Sequence, residues 1–344
     1  MDKRLFHVAV VGATGAVGRN IIKVLDDRRF PVKQLYPLAS QRSLGKSLTF
    51  ANQSVAVQAL ENFDFSKVDI ALFSAGSAIS EKFAPIAAGK GAIVIDNTSF
   101  FRYEDDIPLV IPEVNPEAVN GCKARNIIAN PNCSTIQMLV ALKPIYDEVG
   151  INLINVSTYQ AVSGAGNKAI EELAKQSTKL LNKEPIVQED MQAFSKAIAF
   201  NAIPQIDVFL DNHYTKEEMK MVWETHKIMG DKHIKVNPTC VRVAVFDSHS
   251  ESIYIETKKP LRAEDARLLM QNSPGIKVID QPSVGLYPTA SEAKQKYAVF
   301  VGRIRNALYH PNGLNMWVVS DNLLKGAALN SVQIAELLIK KALI

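Results

Sequence analysis

The chain has 344 residues, 47% of them hydrophobic and 22% charged, with a formal net charge of +4 at pH 7. That is ordinary globular usage, with core enough for two domains. The small positive excess comes without a dense Lys/Arg block, which argues against nucleic acid as a partner while suiting a pocket for small anions.

"MDKRLFHVAVVGATG" enters a strand pattern at once, without the apolar h-region of a signal peptide. No window approaches the roughly 18 continuous apolar residues of a membrane span. "FHVAVVGATGAVGRNIIKVLDD" then reads as strand, glycine turn and amphipathic helix, with Val17, Ile21, Val24 and Leu25 at helical spacing. Gly12, Gly15 and Gly18 form GxxGxxG, a departure from GxGxxG that keeps its logic: a tight turn, close backbone approach and a helix N-terminus favouring phosphate.

The second strand, "KQLYPLAS", ends without the Asp or Glu that binds a ribose 2′-hydroxyl. Ser40, Arg42 and Ser43 stand there instead, and a guanidinium with hydroxyls suits a 2′-phosphate, so NADP(H) is the expected cofactor. A solvated loop arginine is the rival for any single residue, less so for the cluster. "VDIALFSAG" and "GAIVIDNTS" are further strands separated by the helical "AISEKFAPIAAGKG", and "NIIAN" is one more, ending at Pro131. Strands alternating with helices predict an α/β, Rossmann-type parallel sheet covered on both faces. Arg102 follows a strand end, where open α/β sheets bind ligands.

Cys133 precedes the helical "STIQMLVALKPIYDEVG". A helix N-terminus lowers a thiol pKa and offers amides to an oxyanion, yet free cysteine is usually a small buried filler, and placement alone does not decide between them. Cys122 and Cys240, the other two of three cysteines, complete no CxxC, so neither a zinc site nor a disulfide framework is expected. A reduced, cytoplasmic setting fits. Beyond lie β-rich runs, "INLINVSTYQAV", "TCVRVAVFD", "ESIYIETK", "KYAVFVGRIR" and "GLNMWVVSD", several of them alternating. They predict an α+β catalytic and dimerisation domain with a mixed sheet, one face open. Residues 168–200 read as helix and polar loop and 215–229 as helix. The closing run from 322 reads as a long amphipathic helix returning to the first domain. The expected domains are therefore 1–131 with 322–344, and 132–321. The open sheet face suits a homodimer.

Gln160 ends a strand before a second glycine turn at Gly164 and Gly166. His249 lies in a polar turn between strands, free to present its ring for acid–base work, while His213, His233 and His310 read as surface residues. Arg242, on the preceding strand, could hold a carboxylate bidentately. Glu224 and Lys227 share a helix face at i, i+3, a spacing that more often means a surface ion pair.

Taken together, "VAVVGATGAVG", "SAGSAIS", "VIDNTSFFR", "NPNCSTIQ", "YQAVSGAG", "TCVRVAV", "HSES", "VGRIR" and "WVVSDNLLKGAA" resemble the bacterial aspartate-semialdehyde dehydrogenases over essentially the whole chain. The resemblance implies NADPH-dependent reductive dephosphorylation of L-aspartyl 4-phosphate to L-aspartate 4-semialdehyde, on the route to lysine, methionine and threonine. It makes Cys133 the acyl-thioester nucleophile, His249 the acid/base that relays a proton, and Gln160 the group orienting the acyl substrate. Arg242 takes the substrate carboxylate, Glu224 lies near its amine, and Arg102, Asn132 and Lys227 hold phosphate. Gly12, Thr14, Gly15, Ala16 and Val17 face the dinucleotide, Ser40, Arg42 and Ser43 its 2′-phosphate, and Ser163, Gly164 and Asn322 its nicotinamide end. No metal is implied. Ser248 and Ser77 depart from the pattern, standing where glycine is usual. The rivals are N-acetylglutamyl-phosphate reductase, glyceraldehyde-3-phosphate dehydrogenase and a catalytically silent dinucleotide-binding protein.

Overall fold

The structure, a computed structural model, describes residues 4–344. Its contacts form two units: one takes the chain to Asn132 and again from Ala327 to Ile344, the other runs from Cys133 to Gly326.

In the first unit β1 (Phe6–Val11) is buried at every position but His7, as a strand covered on both faces must be. Six parallel strands form its sheet, in the order β3 (Gln58–Ala59), β2 (Val32–Ala39), β1, β4 (Ile70–Phe73), β5 (Ile93–Asp96), β6 (Ile127–Ala129). The order 3-2-1-4-5-6 is that of doubly wound dinucleotide-binding sheets, with its reversal between β1 and β4. The glycine turn follows β1 and opens α1 (Ala16–Asp27), which buries Ile21, Ile22, Val24 and Leu25; α2 (Ser77–Gly89) joins β4 to β5. Gly12 has a φ of +84°, and a Cβ on Gly18 would lie 2.2 Å from the Gly12 carbonyl oxygen. Both positions therefore require the missing side chain.

The second unit holds a mixed sheet of seven strands: β8 (Ala202–Ile203), β9 (Lys235–Val243), β7 (Ile151–Gln160), β10 (His249–Thr257), β13 (Gly313–Ser320), β12 (Val299–Asn306), β11 (Ile276–Val278). β9 pairs with β7, and β11 with β12, in parallel; the other pairs are antiparallel. Helices α3 (Cys133–Val149), α5 (Lys216–Met229) and α6 (Ala263–Gln271) pack against this sheet. α3 is buried at every position from Ser134 to Leu142, which makes it a core helix rather than an amphipathic one. β7 alternates, Thr158 and Gln160 buried and Tyr159 exposed beside Trp317 at a ring separation of 5.5 Å. Between β7 and β8 runs α4 (Asn167–Leu181); its Gln176 accepts the Ile198 and Ala199 N–H groups and so pins the polar loop that follows.

The closing segment differs from the single helix expected over 322–344. A π-helical turn (Leu324–Ala328) precedes α7 (Leu329–Lys340), which belongs to the first unit. Arg28 grips Glu336 through two bonds of 2.7 Å, and Asn330 donates to the Val110 carbonyl and to Asn130 Oδ1. The chain returns after Gly326 and not at 322, because Asn322 is bonded within the second unit to Ser163 and Ser248. Asn132 falls in the first unit, one residue beyond the boundary expected at 131.

Candidate active site

Sheet register assembles the site in the second unit. Arg242 on β9 pairs with Gln160 at the end of β7. Ser250 pairs with Tyr159, which brings His249 level with Gln160 on the next strand. Arg242, Gln160 and His249 thus form a row across one end of the sheet, all three buried.

The peptide of Ala161, just past that row, holds two of its members. Arg242 Nη1 donates to the Ala161 carbonyl at 2.7 Å, and the Ala161 N–H donates to His249 Nδ1 at 3.0 Å. With Nδ1 occupied as an acceptor, the neutral ring carries its proton on Nε2. A Cβ on Gly164 would stand 3.2 Å from that Nε2 and 3.1 Å from Arg242 Nη1, so bare backbone flanks both groups. The expected open turn for His249 is corrected: the residue begins β10 and has no exposed surface. Ser248 before it has a φ of +72°, a left-handed conformation that glycine enters at least cost, and its N–H is tied to Asn322 Oδ1 at 3.0 Å. Asn322 Nδ2 also donates to Ser163 Oγ at 3.1 Å. Burial, then the charge of Arg242, pulls the His249 pKa down to about 3, with the Glu217 carboxylate opposing.

Cys133 is the first residue of α3 and is half-buried. The positive end of the helix favours its thiolate. A Cβ on Gly326 would lie 2.7 Å from Cys133 Cβ, so the π-helical turn seals one flank of the nucleophile with glycine alone. Burial lowers the Arg242 pKa, opposed by the negative charges of Glu217, of the Cys133 thiolate and of Cys240, which puts both sulfurs within electrostatic reach of the guanidinium. The other cysteines are the fillers. Cys122 and Cys240 are buried, and burial raises both thiols above the usual range.

Helix α5 supplies a correction. The carboxylate it brings to the row is Glu217, whose Oε1 accepts from Gln160 Nε2 at 3.2 Å and whose Oε2 meets Lys220 Nζ at 2.9 Å. Lys220 also reaches Asp207 at 2.9 Å. The expected pair, Glu224 and Lys227, lies two turns further on, about 10 Å along the axis. Glu224 is fully buried there and Lys227 half-buried. Sequence reasoning missed Glu217, Lys220, Gly326 and the Ala161 peptide. Phe194 was missed too; its ring lies 5.9 Å from the Arg242 guanidinium carbon.

The remaining expected residues lie in the first unit. Arg102 is buried and directed by bonds from Nε to the Asn130 carbonyl and from Nη2 to the Asn97 carbonyl, both 2.9 Å. Asn132 is buried at the end of that unit. Gly15 caps α1 without a side-chain bond, leaving the first-turn amides of Ala16 and Val17 for an anion. Thr14 Oγ1 lies 3.3 Å from Ser43 Oγ, tying the glycine turn to the loop in which Ser40 and Arg42 are exposed. Hydroxyls, a guanidinium and a glycine cradle without a carboxylate fit a 2′-phosphorylated dinucleotide. Among the described residues no group of three or more His, Cys, Asp or Glu side chains could hold a metal ion, and no helix is long and apolar enough to cross a membrane.

The buried histidine makes stability depend on pH. The unfolded chain protonates this ring below about pH 6.5, the folded one only near 3. Between those values the unfolded state binds more protons, so stability falls on acidification, by about 2 kcal/mol at pH 5 from this group alone. In urea unfolding at pH 7.5 and pH 5.0, His249→Gln should lose about 2 kcal/mol less than the parent on acidification; equal losses would contradict the buried neutral ring.

Residues 7–122 match the family model described as semialdehyde dehydrogenase, NAD binding domain, and residues 142–325 the one described as semialdehyde dehydrogenase, dimerisation domain. The chain is 58% identical to an aspartate-semialdehyde dehydrogenase of Legionella pneumophila over 342 residues, 99% of this chain and 98% of that one. A crystal structure of aspartate semialdehyde dehydrogenase II from Vibrio cholerae, complexed with ASA, superposes with a TM-score of 0.96 at 57% identity, covering 98% of this chain and 99% of that one. The Candida albicans aspartate semialdehyde dehydrogenase with NADP gives 0.76 at 26% identity, over 99% and 100% of the two chains. Fold, site geometry and these likenesses agree: the chain belongs to the aspartate-semialdehyde dehydrogenase family.

Proposed function

We propose that this chain catalyses the NADPH-dependent reductive dephosphorylation of L-aspartyl 4-phosphate to L-aspartate 4-semialdehyde and phosphate, working in the cytoplasm as a homodimer. One observation carries the reading. Cys133 stands at the head of α3 within electrostatic reach of Arg242, whose strand neighbours present Gln160 and His249 at the same sheet end. Cys240 is also within electrostatic reach of Arg242, but it is a buried strand residue, and Cys122 is buried too; burial raises both thiols, and neither heads a helix. The V. cholerae and C. albicans likenesses support the substrate class and the cofactor, and the dimerisation-domain match supports the assembly.

In this reading the Cys133 thiolate attacks the acyl carbon and phosphate leaves, forming a thioester. NADPH, when bound, supplies the hydride that reduces it. The resulting thiohemiacetal expels the aldehyde and returns the thiolate. Gln160 orients the acyl group and His249 meets its carbonyl oxygen. Arg242 binds the substrate carboxylate through the guanidinium N–H groups that do not hold Ala161. Glu217 takes the substrate ammonium, the role expected of Glu224, because it is the carboxylate bonded to Gln160. Lys220, in place of Lys227, serves the phosphate with Arg102 and Asn132. We assign the Gly12–Val17 turn to the pyrophosphate, Ser40, Arg42 and Ser43 to the 2′-phosphate, and Ser163, Gly164 and Asn322 to the nicotinamide. The open face bearing Tyr159 and Trp317 is the surface for an isologous dimer.

Followed by NADPH consumption with aspartyl phosphate, Cys133→Ser should lower turnover by several orders of magnitude, because the covalent step is lost; full turnover would defeat the thioester mechanism. Glu217→Gln should reduce kcat/KM for aspartyl phosphate about ten- to a hundredfold, the worth of a hydrogen bond to a charged group. Glu224→Gln should leave that KM unchanged. The reverse ranking would restore Glu224 to the amine.

A further inference from the structure

We infer that Gln137 and Glu251 are positioning residues, a buried pair beneath the active centre that ties the first turns of α3, and with them Cys133, to the strand of His249. This deepens the proposed function and rests on it, with His249 remaining its acid/base.

Below the row of Arg242, Gln160 and His249 the sheet register places a second one. Cys240 pairs with Thr158, and Thr158 with Glu251. Glu251 lies two residues along β10 from His249, so both side chains leave the same face of the sheet. No member of the second row has any exposed surface. Two of them are occupied elsewhere: Thr158 Oγ1 donates to Gln160 Oε1 at 3.1 Å, and Cys240 Sγ donates to Met221 Sδ at 3.8 Å. Both Glu251 carboxyl oxygens are buried without a hydrogen-bond partner.

Helix α3 supplies what Glu251 lacks. Gln137 is one turn on from Cys133, an i, i+4 spacing that puts both side chains on one face of the helix. Its Nε2 donates to the His249 carbonyl, a direct link from the nucleophile's helix to the histidine's strand. At 3.4 Å that bond is long and holds little by itself. Gln137 Oε1, like the Glu251 oxygens, is buried and unpartnered. Gln137 is also the one side chain that acts on the Glu251 carboxyl. A carboxylate there would set acceptor against acceptor. A proton on Glu251 provides the missing donor for Gln137 Oε1 and leaves Nε2 to His249. Burial favours that form, pushing the Glu251 carboxyl well up, and no cation among the described residues opposes it.

The pair sets a distance. The His249 ring is aimed by the Ala161 N–H at 3.0 Å, while its backbone carbonyl is held by Gln137, so ring and strand have separate tethers. Without the second, α3 is free to shift against β10, carrying Cys133 with it, although Arg242 and the imidazole stay fixed on Ala161. A displacement of about 1 Å between reacting groups lowers the rate about a hundredfold. The loss falls on kcat and not on KM, because the groups given to substrate binding, Arg242 and Glu217, stand on β9 and α5.

The test compares Gln137→Leu, Glu251→Leu, the double variant and Glu251→Gln, by NADPH consumption with aspartyl phosphate and by urea unfolding. Each leucine variant should lower kcat about ten- to a hundredfold with KM little changed, whereas Glu251→Gln, neutral and able to donate, should stay within about threefold. Replacing both partners leaves no unpaired polar group, so the double variant should regain the stability that the single ones lose, but not their kcat. That split separates positioning from folding. Parental kcat in Gln137→Leu or in the double variant would overturn the inference, as would a Glu251→Gln enzyme as slow as Glu251→Leu. Because the leucine variants can misfold, infrared difference spectra between the parent and Glu251→Gln provide a second readout that needs no turnover. They should show a protonated-carboxyl C=O band at pH 7 and at pH 9; a carboxylate band would overturn the pair. Full turnover in Cys133→Ser would instead defeat the thioester reading and leave the infrared result standing.

Discussion

One peptide group, that of Ala161, sets the chemistry of the site. Its carbonyl accepts from Arg242 and its N–H donates to His249, so a single rigid plane fixes a guanidinium and an imidazole together. The plane lies where it does because β7 ends at Gln160 between β9 and β10, whose register brings Arg242 and His249 to the same level. The neighbouring features follow from that constraint. Gly164 has no side chain because a Cβ would press on both ring and guanidinium. Asn322 ties the Ser163 loop to the strained Ser248, whose backbone aims His249.

The polar interior beneath this row is maintained by partnering. Thr158 Oγ1 donates to Gln160 Oε1, Gln160 Nε2 to Glu217, and Lys220 bridges Glu217 and Asp207. Glu218, the next residue, does different work. It completes the Thr215 capping box of α5 and accepts the Cys240 N–H, anchoring the helix to β9. Adjacent carboxylates on one helix thus divide into one that faces the site and one that holds the helix in register with the sheet. Removing a partner from so buried a chain leaves an unpaired polar group, which costs more than the bond itself contributes.

What the sequence shows and hides has physical reasons. The strand, glycine turn and helix of residues 6–27 are local signals, and alternating strands and helices dictate a covered parallel sheet, so both are legible. Cys133 at a helix start is legible as a place but ambiguous as a role; what separates it from Cys122 and Cys240 is burial, a tertiary property. Helix α5 carries two E-x-x-K pairs seven residues apart, Glu217 with Lys220 and Glu224 with Lys227, on nearly the same face. Local pattern ranks neither, and only the packing of α5 against β9 selects the first. His249 looked like a turn residue because "FDSHSES" is polar. In fact β10 begins at the histidine and buries its polar side chains, an inversion that alternation rules cannot foresee at a functional sheet end. The backbone roles of Ala161 and Gly326 leave no side-chain signature at all.

The central claim is that Cys133 carries an acyl group between phosphate and the nicotinamide of NADP. The reverse reaction tests it most directly, as reduction of NADP⁺ by L-aspartate 4-semialdehyde, measured with and without inorganic phosphate and against NAD⁺. The account predicts turnover that requires phosphate and favours NADP⁺. Reduction that proceeds equally well without phosphate would contradict a thioester resolved by phosphate, and a preference for NAD⁺ would contradict the role given to Ser40, Arg42 and Ser43.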